Sequence, residues 1–267
     1  MVSSRRKREI AEIADQTRRL AGISTYGIND IFDACQSLNY YYLRYPLMDG
    51  VLGAVIKRDA EYIIFSNSSV VYSREIFTLA HEIGHIRLGH LNSETQTMED
   101  TNHTISSNDE KEVEANFFAA CFLIPKDALL KIIEVFDIVN FSILDIVRLQ
   151  SVFNTSFETT INRLNYLSII NEQKLELLKL QKKEQTISSI LKSIGNDANL
   201  CIPSNVKAIS MDYLKWIQFN YSNNLISKAT AEKALGYLDI SIDSIDIEPV
   251  NSDDDFDFDA FWEDDDE

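Results

Sequence analysis

The feature that most constrains this chain is a helical stretch, residues 77–90, in which two histidines stand four positions apart. His81 and His85 flank Glu82 in the pattern H-E-x-x-H, within an otherwise apolar run. Positions i and i+4 lie about 40° apart around an α-helix and about 6 Å apart along it, so both imidazoles can reach one ion. A glutamate next to the first histidine can accept a proton from a water molecule on that ion. The stretch therefore predicts half of a zinc site with a general base beside it.

Length and composition indicate a globular protein of more than one domain. The chain has 267 residues, of which 45% are hydrophobic and 25% charged, so it can bury a sizeable core. It has no apolar run of membrane-spanning length, and residues 1–20 are polar and basic rather than a signal peptide. The cysteines at positions 35, 121 and 201 are odd in number and widely spaced, which argues against disulfides. We therefore expect a cytoplasmic protein with no membrane contact.

The net charge of −17 is concentrated at the C terminus. Residues 253–267 hold ten acidic residues and no basic one, which leaves −7 on the rest of the chain. A tail of this composition is typically disordered. The regular spacing of Phe256, Phe258, Phe261 and Trp262 within it leaves open a docking motif, a pseudosubstrate or a nucleic-acid mimic. The acidic balance of the chain disfavours direct nucleic-acid binding.

Hydrophobic periodicity predicts an α+β fold. Apolar residues recur at helical spacing before residue 40, switch to β-branched and aromatic runs up to residue 65, and then return to helical spacing. Residues 91–109 are polar without a period and predict a surface loop. The predicted elements are helices at about 5–21 and 29–38, a small antiparallel sheet with a hairpin from strands at 40–47, 51–56 and 62–65, a helix between the N-cap Ser73 and Gly89, helices at about 109–123 and 126–136, a helix pair within 142–170, a helix at 172–194, a linker at 196–204, and helices at about 205–220 and 230–238.

The third metal ligand is expected from a second helix. In the pattern H-E-x-x-H-x-x-G-x-x-H, glycine and the third histidine would stand where this chain has Leu88 and Leu91, and His90 falls one residue short. The acidic helix that begins near Asp109 carries three glutamates and is the predicted source of a carboxylate ligand. The geometry of the site therefore depends on how two helices pack.

Two motifs in this order resemble those of a known family. Residues 74–85 read R-x-x-F-T-L-A-H-E-x-G-H, and residues 112–125 read E-x-E-A-N-x-F-A-A-x-x-L-x-P. Together they closely resemble the ImmA/IrrE family of metallopeptidases, which are proteins of bacteria, phages and integrative elements. The similarity covers about residues 40–165, including the helix pair near 152–164. It implies a zincin-like metallopeptidase domain followed by helices.

The resemblance also implies the residues of the site. It places the zinc ligands on His81, His85 and Glu114, and the general base on Glu82. Glu110, one turn before Glu114 on the same helix face, is the alternative ligand, whereas Glu112 lies about 160° around the helix from Glu114 and is disfavoured. Manganese or iron could occupy the same ligands. Asn116, Tyr72, His90 and His103 are candidates for orienting a ligand or stabilising the oxyanion, against the simpler interpretation that each is an ordinary packing or surface residue.

The function implied by the resemblance is that of an endopeptidase. Its expected substrate is a helix-turn-helix repressor of a mobile element or stress regulon, whose cleavage derepresses transcription. The alternative is a regulatory binding protein, an anti-repressor or a toxin–antitoxin component, that sequesters its partner without proteolysis and would not need Glu82. The helix pair near 146–164 resembles a helix-turn-helix, but Arg163 is the one basic residue on its second helix. It therefore predicts packing or partner docking rather than DNA recognition.

The chain is expected to divide into four segments, while the sequence does not indicate an oligomeric state. The first would be the metallopeptidase domain with its N-terminal helices, the second a helical region resembling a helix-turn-helix, the third a small helical unit, and the last a disordered acidic tail. Their predicted bounds are 1–136, 137–195, 196–250 and 251–267.

Overall fold

A computed structural model describes residues 2–47, 50–91, 95–101, 109–184 and 186–242, with the backbone alone for 95–101. Within these residues the chain forms a five-stranded sheet and eleven α-helices. The predicted α+β fold class is confirmed. Of these described helices, none is both long enough and apolar enough to cross a membrane.

The sheet is mixed rather than antiparallel. Its second and third strands form the predicted antiparallel hairpin, which turns at Asp59 with a φ of 52°. Successive strands alternate in direction, so the first and third point the same way. They become neighbours and pair in parallel, which the sequence did not predict. The strands are β1 (Tyr41–Tyr45), β2 (Val51–Arg58), β3 (Glu61–Asn67), β4 (Thr95–Thr101) and β5 (Ala208–Ile209), in the order β4-β2-β3-β1-β5.

Strand β4 lies inside the segment that was predicted as a surface loop. It runs antiparallel to β2, with Val55 opposite Met98 and Arg58 opposite Thr95. Its sequence, TQTMEDT, lacks an apolar alternation, so period alone could not identify it. The backbone hydrogen-bonding groups of β2 decide its conformation, because an open strand edge pairs with any extended chain that is brought to it.

The helices of the first unit agree with the predicted ones apart from their ends and one division. The predicted helix 172–194 is two helices, because Thr186 adopts an extended conformation with φ −80° and ψ 129°. The three cysteines are free. The helices are α1 (Ser4–Leu20), α2 (Ile31–Ser37), α3 (Tyr72–Arg87), α4 (Glu110–Leu123), α5 (Lys126–Val135), α6 (Ile143–Phe153), α7 (Phe157–Tyr166), α8 (Glu172–Glu184) and α9 (Ile187–Ser193), followed by a 3₁₀ turn at Ala198–Cys201.

The chain divides into compact units at one place, between Ser210 and Met211. The predicted bounds at 136 and 195 fall within the first unit, Met1–Ser210. A continuous apolar core explains this, since it includes residues from α1 through α9 and extends to Leu200. Helix α3 lies within this core and packs against β2, β3, α1 and α4.

Residues 202–210 belong to the sheet of the first unit, although 196–204 was predicted as a linker. The Tyr72 amide donates to the Ile202 carbonyl at 3.0 Å, and β5 pairs with β1. The fully buried Glu75 receives hydrogen bonds from Arg44 at 2.9 Å and from Ser204 at 3.0 Å. This network fixes the first turn of α3 to the sheet.

The second unit begins at Met211 and contains α10 (Met211–Ser222) and α11 (Lys228–Gly236). It has a small core of its own, made of Ile217, Ala231, Leu235 and Ile242. The acidic tail predicted at 251–267 lies outside the described residues.

Candidate metal centre

Helix α3 places both histidines and Glu82 in the interior of the first unit. It begins at Tyr72 with Val71 as its N-cap, so Ser73 is already helical rather than the predicted cap. His81 and His85 have relative exposures of 0% and 2%. Their Nε2 atoms face each other at 2.9 Å. The i, i+4 spacing thus brings two ring nitrogens together, as the sequence predicted.

Glu112 on α4 completes a group of three donors. Its Oε2 lies 3.2 Å from His81 Nε2, and its Oε1 lies 3.4 Å from His85 Nε2. Ligand atoms that are about 2.0–2.1 Å from a tetrahedral zinc ion lie about 3.3 Å from one another. One ligand atom from each of the three residues lies within 4.8 Å of the others. Two imidazoles and one carboxylate are a donor set that zinc takes in sites with one position open.

Glu114, the expected third ligand, faces the other way. Its carboxylate accepts hydrogen bonds from Arg6 Nε at 2.7 Å and Arg6 Nη2 at 2.6 Å, across the contact between α4 and α1. Helix α4 packs between α3 and α1, and the side chains of Glu112 and Glu114 project about 160° apart. Only one of them can face α3, and it is Glu112. The alternative ligand, Glu110, is exposed.

The two histidines have different partners at their Nδ1 atoms. Asn116, one turn beyond Glu112, has its Oδ1 3.0 Å from His81 Nδ1. It also lines a cavity of about 620 Å³ between α3, α4 and α7. His90 Nδ1 lies 2.9 Å from His85 Nδ1. The structure therefore brings two of the four predicted auxiliary residues to the histidines.

Of the other two predicted auxiliary residues, Tyr72 lies away from the site. Tyr72 is nine residues before His81 on α3, about 13 Å along the helix axis. Its ring lies near Arg44, whose Cζ is 5.7 Å from the ring centroid. His103 lies outside the described residues. Tyr72 thus belongs to the network around Glu75 and not to the metal centre.

The electrostatics of the site keep His85 neutral. Its pKa falls to about 2, first because the imidazole is buried and then because of the neighbouring His81, His90 and Lys111. The pKa of His90 is also lowered, mainly by burial, although Glu114 opposes the shift. A neutral imidazole retains the lone pair that a metal needs.

Glu82 lies beside a glycine of the sheet. Its relative exposure is 1%. A Cβ atom at Gly53, in the middle of β2, would lie 3.3 Å from Glu82 Oε1 and 2.4 Å from Thr78 Cγ2. Glycine at this position therefore leaves space next to the carboxylate. Gly53 was not among the predicted site residues, although a lone glycine inside an apolar strand signals a close approach.

Gly84 determines how closely α4 approaches α3. A Cβ atom there would lie 3.0 Å from Phe118 Cδ1 and 3.3 Å from the Cα and carbonyl oxygen of Ala115. The Ala115 backbone cannot rotate away as a side chain can. A methyl group at position 84 must therefore push the two helices apart, and Glu112 moves with α4.

We expect Gly84→Ala to lower the free energy of unfolding by about 1–3 kcal/mol and to weaken zinc binding, because the donors separate. Gly236→Ala is the control, since a Cβ at Gly236 meets nothing within 4 Å. Gly236→Ala should raise the free energy of unfolding by no more than about 1 kcal/mol. Urea unfolding and zinc titration measure both effects. Unchanged zinc affinity in Gly84→Ala would contradict the role of this helix contact.

Residues 35–165 match the peptidase family model described as the IrrE N-terminal-like domain. The matched segment contains Glu82 and all three donors of the metal centre. This segment belongs to the IrrE-like peptidase family. The predicted resemblance is thereby confirmed for this part of the chain. No curated protein matches the sequence.

Membership of this family supports a metallopeptidase-type function for the IrrE-like domain. The buried group of His81, His85 and Glu112 can supply the metal ligands. The matched segment begins within α2 and ends within α7. Helices α1, α8 and α9 and strand β5 therefore belong to the first unit but lie outside the matched residues.

Proposed function

We propose that this protein is a zinc-dependent endopeptidase that uses Glu82 as its general base. The observation that carries the proposal is the spacing of the three donors, 2.9, 3.2 and 3.4 Å between their nearest atoms, with Glu82 next to His81 on the same helix. The donor set of two imidazoles and one carboxylate suits zinc, and manganese or iron can bind the same ligands. The family match supports the same class of activity.

The residues have separate tasks in this proposal. His81, His85 and Glu112 would hold zinc, which supplies a Lewis acid that polarises a carbonyl group and makes water acidic enough to react near neutral pH. Glu82 accepts the proton of the attacking water as its oxygen bonds to the peptide carbonyl carbon. Glu82 then returns this proton to the amide nitrogen as the C–N bond breaks. The products are a carboxylic acid and an amine.

We further propose that the substrate is a helix-turn-helix repressor, as the resemblance to the ImmA/IrrE family suggests. An extended segment of such a protein can pair with a sheet edge through its backbone. Among the described residues, β4 pairs with β2 on one side and is last in the strand order. Cleavage would separate the DNA-binding part of the repressor from the rest and release the genes that it silences.

Packing or partner docking remains our proposal for the helix pair α6 and α7. Arg163, the basic residue of α7, is 5% exposed and donates through Nε to the Ile124 carbonyl oxygen at 3.0 Å. A buried guanidinium that is bonded to the chain does not contact phosphates. This observation supports a role for α7 in packing against the peptidase core rather than in reading DNA.

The proposed substrate is tested by incubating the zinc-loaded full-length protein with the helix-turn-helix repressor encoded beside it. We expect cleavage at a defined bond, mapped by mass spectrometry, and loss of operator binding by the repressor. A zinc chelator should prevent the cut. A repressor that binds the protein but stays intact would instead favour sequestration. A repressor that neither binds nor is cut would refute this substrate.

A further inference from the structure

Four side chains form a continuous chain of contacts behind His85. His85 Nδ1 lies 2.9 Å from His90 Nδ1, and His90 Nε2 lies 3.3 Å from Glu114 Oε2. Glu114 in turn accepts the two hydrogen bonds from Arg6. All but Arg6 have relative exposures of 8% or less. The chain connects the active-site helix, the turn after it, α4 and α1.

The hydrogen positions along this chain can be deduced from its two ends. His85 Nε2 faces His81 and Glu112, so this nitrogen must keep its lone pair for the metal, and the proton of the neutral ring lies on Nδ1. His85 Nδ1–H then donates to His90 Nδ1. His90 consequently carries its own proton on Nε2 and donates to Glu114.

The contacts at the Arg6 end require the same direction of hydrogen bonding. An arginine can only donate hydrogen bonds, so Glu114 accepts from Arg6 as a carboxylate. A carboxylate beside His90 Nε2 also needs a donor there. Both ends therefore select the same tautomer of His90, and every donor along the chain meets an acceptor.

We propose that His90, Glu114 and Arg6 are positioning residues that hold His85 in the tautomer and ring orientation that presents Nε2 to the metal. The inference rests on the proposed function in that it places a metal between His81, His85 and Glu112. A group that accepts the second ring N–H of a metal-bound histidine orients that histidine and raises its basicity. Here the acceptor is His90, which Glu114 holds in turn. Glu114 thus serves the metal without binding it.

The surroundings of His90 hold it in place for this task. Lys111 Nζ donates to the His90 carbonyl oxygen at 3.0 Å, and the His90 amide donates to the His85 carbonyl oxygen at 2.9 Å. Gly89, with a φ of 71°, makes the turn that brings His90 back beneath His85. His90 is therefore oriented through both its backbone and its ring.

A purely structural role makes a different prediction from a positioning role. If Arg6 and Glu114 only join α1 to α4, their loss lowers stability and leaves the zinc affinity and the His85 tautomer unchanged. If they position His85, the zinc affinity and the His85 tautomer both change in protein that remains folded. Zinc affinity and tautomer therefore discriminate between the two roles without any measurement of cleavage.

The test uses the full-length protein with two sets of variants. His90→Phe removes the acceptor and keeps an aromatic ring, and His90→Gln restores an acceptor and a donor. Arg6→Met removes the last donor. Arg5→Met is its matched control, because Arg5 is exposed and is bonded to Glu9 on the same helix. Nitrogen NMR of the zinc-free protein reports the His85 tautomer, and competition with a chelator reports zinc affinity.

We expect His85 to carry its proton on Nδ1 in the unaltered protein and to lose this preference in His90→Phe. Zinc affinity should fall about 10- to 100-fold in His90→Phe, recover partly in His90→Gln, fall less in Arg6→Met and stay unchanged in Arg5→Met. A folded His90→Phe variant with unaltered affinity and tautomer would overturn the proposal. If that variant does not fold, equal zinc affinities of Arg6→Met and Arg5→Met would overturn it. Failure of the proposed function is a separate result, namely normal zinc binding without cleavage.

Discussion

Glu82→Gln is expected to reduce peptide-bond cleavage by about 10²- to 10⁴-fold and to leave zinc bound. The amide has nearly the shape of the carboxylate, but it cannot accept the proton of the attacking water. The three donors of the metal centre are on other residues, so zinc stoichiometry should stay at the value of the unaltered protein. Initial rates of repressor cleavage and elemental analysis of the purified variant measure the two effects.

The matched control for this experiment is Glu134→Gln on α5. The Glu134 side chain is 73% exposed and pairs with Lys131 at the surface, so its replacement should affect neither rate nor zinc. Retained cleavage in Glu82→Gln would contradict the proposed mechanism. Loss of both cleavage and zinc would instead show that Glu82 holds the metal centre together.

Glu112→Gln should weaken zinc binding more than Glu114→Gln does. We expect a loss of more than 100-fold for Glu112, which exceeds the range of about 10- to 100-fold for a residue that acts through a ligand. Glu114→Gln should fall within that range, because it disturbs His90 and Arg6 and leaves the three donors in place. Competition with a chelator measures both variants, which have the same change in charge and are two positions apart on one helix.

The comparison decides which glutamate is the third ligand. A larger loss for Glu114→Gln would restore the assignment that the resemblance implied and would contradict the geometry of α4. Circular dichroism is needed as a control, because Glu114→Gln also removes a charged partner from Arg6. Equal losses would indicate that zinc binds through both carboxylates.

Local sequence was sufficient for the elements that carry the site. The i, i+4 spacing of His81 and His85 has the same consequence in any α-helix, so the facing nitrogens required no knowledge of the fold. The hairpin of β2 and β3 was likewise predicted from two β-branched and aromatic runs around a short polar turn. In both cases the interacting residues are close in sequence.

Contacts between distant segments were not predictable in the same way. The sequence shows that Glu112 and Glu114 project from opposite sides of α4, but not which side faces α3. The tight contact at Gly84 turns Glu112 toward the histidines, and α1 supplies Arg6 to Glu114. The sequence did not connect Arg6 to Glu114, because the two residues are 108 positions apart.

Strand β4 shows the same limitation in the sheet. Its polar sequence has no alternation of apolar and polar side chains, and its conformation depends on the edge of β2 rather than on its own residues. Residues 202–210 join the sheet in a similar way, through backbone hydrogen bonds to residues more than 100 positions earlier. Backbone pairing of this kind leaves little trace in the side chains.

The sequence by itself thus determined the fold class, the helix on which His81 and His85 face each other, and the position of Glu82 beside them, because these follow from helix geometry and from the order of adjacent side chains. The tertiary structure decided the third donor, the partners of each histidine and the space beside Glu82. The physical reason is that each of these depends on which face of one element packs against another, and side-chain periodicity specifies that a face is buried without specifying its partner.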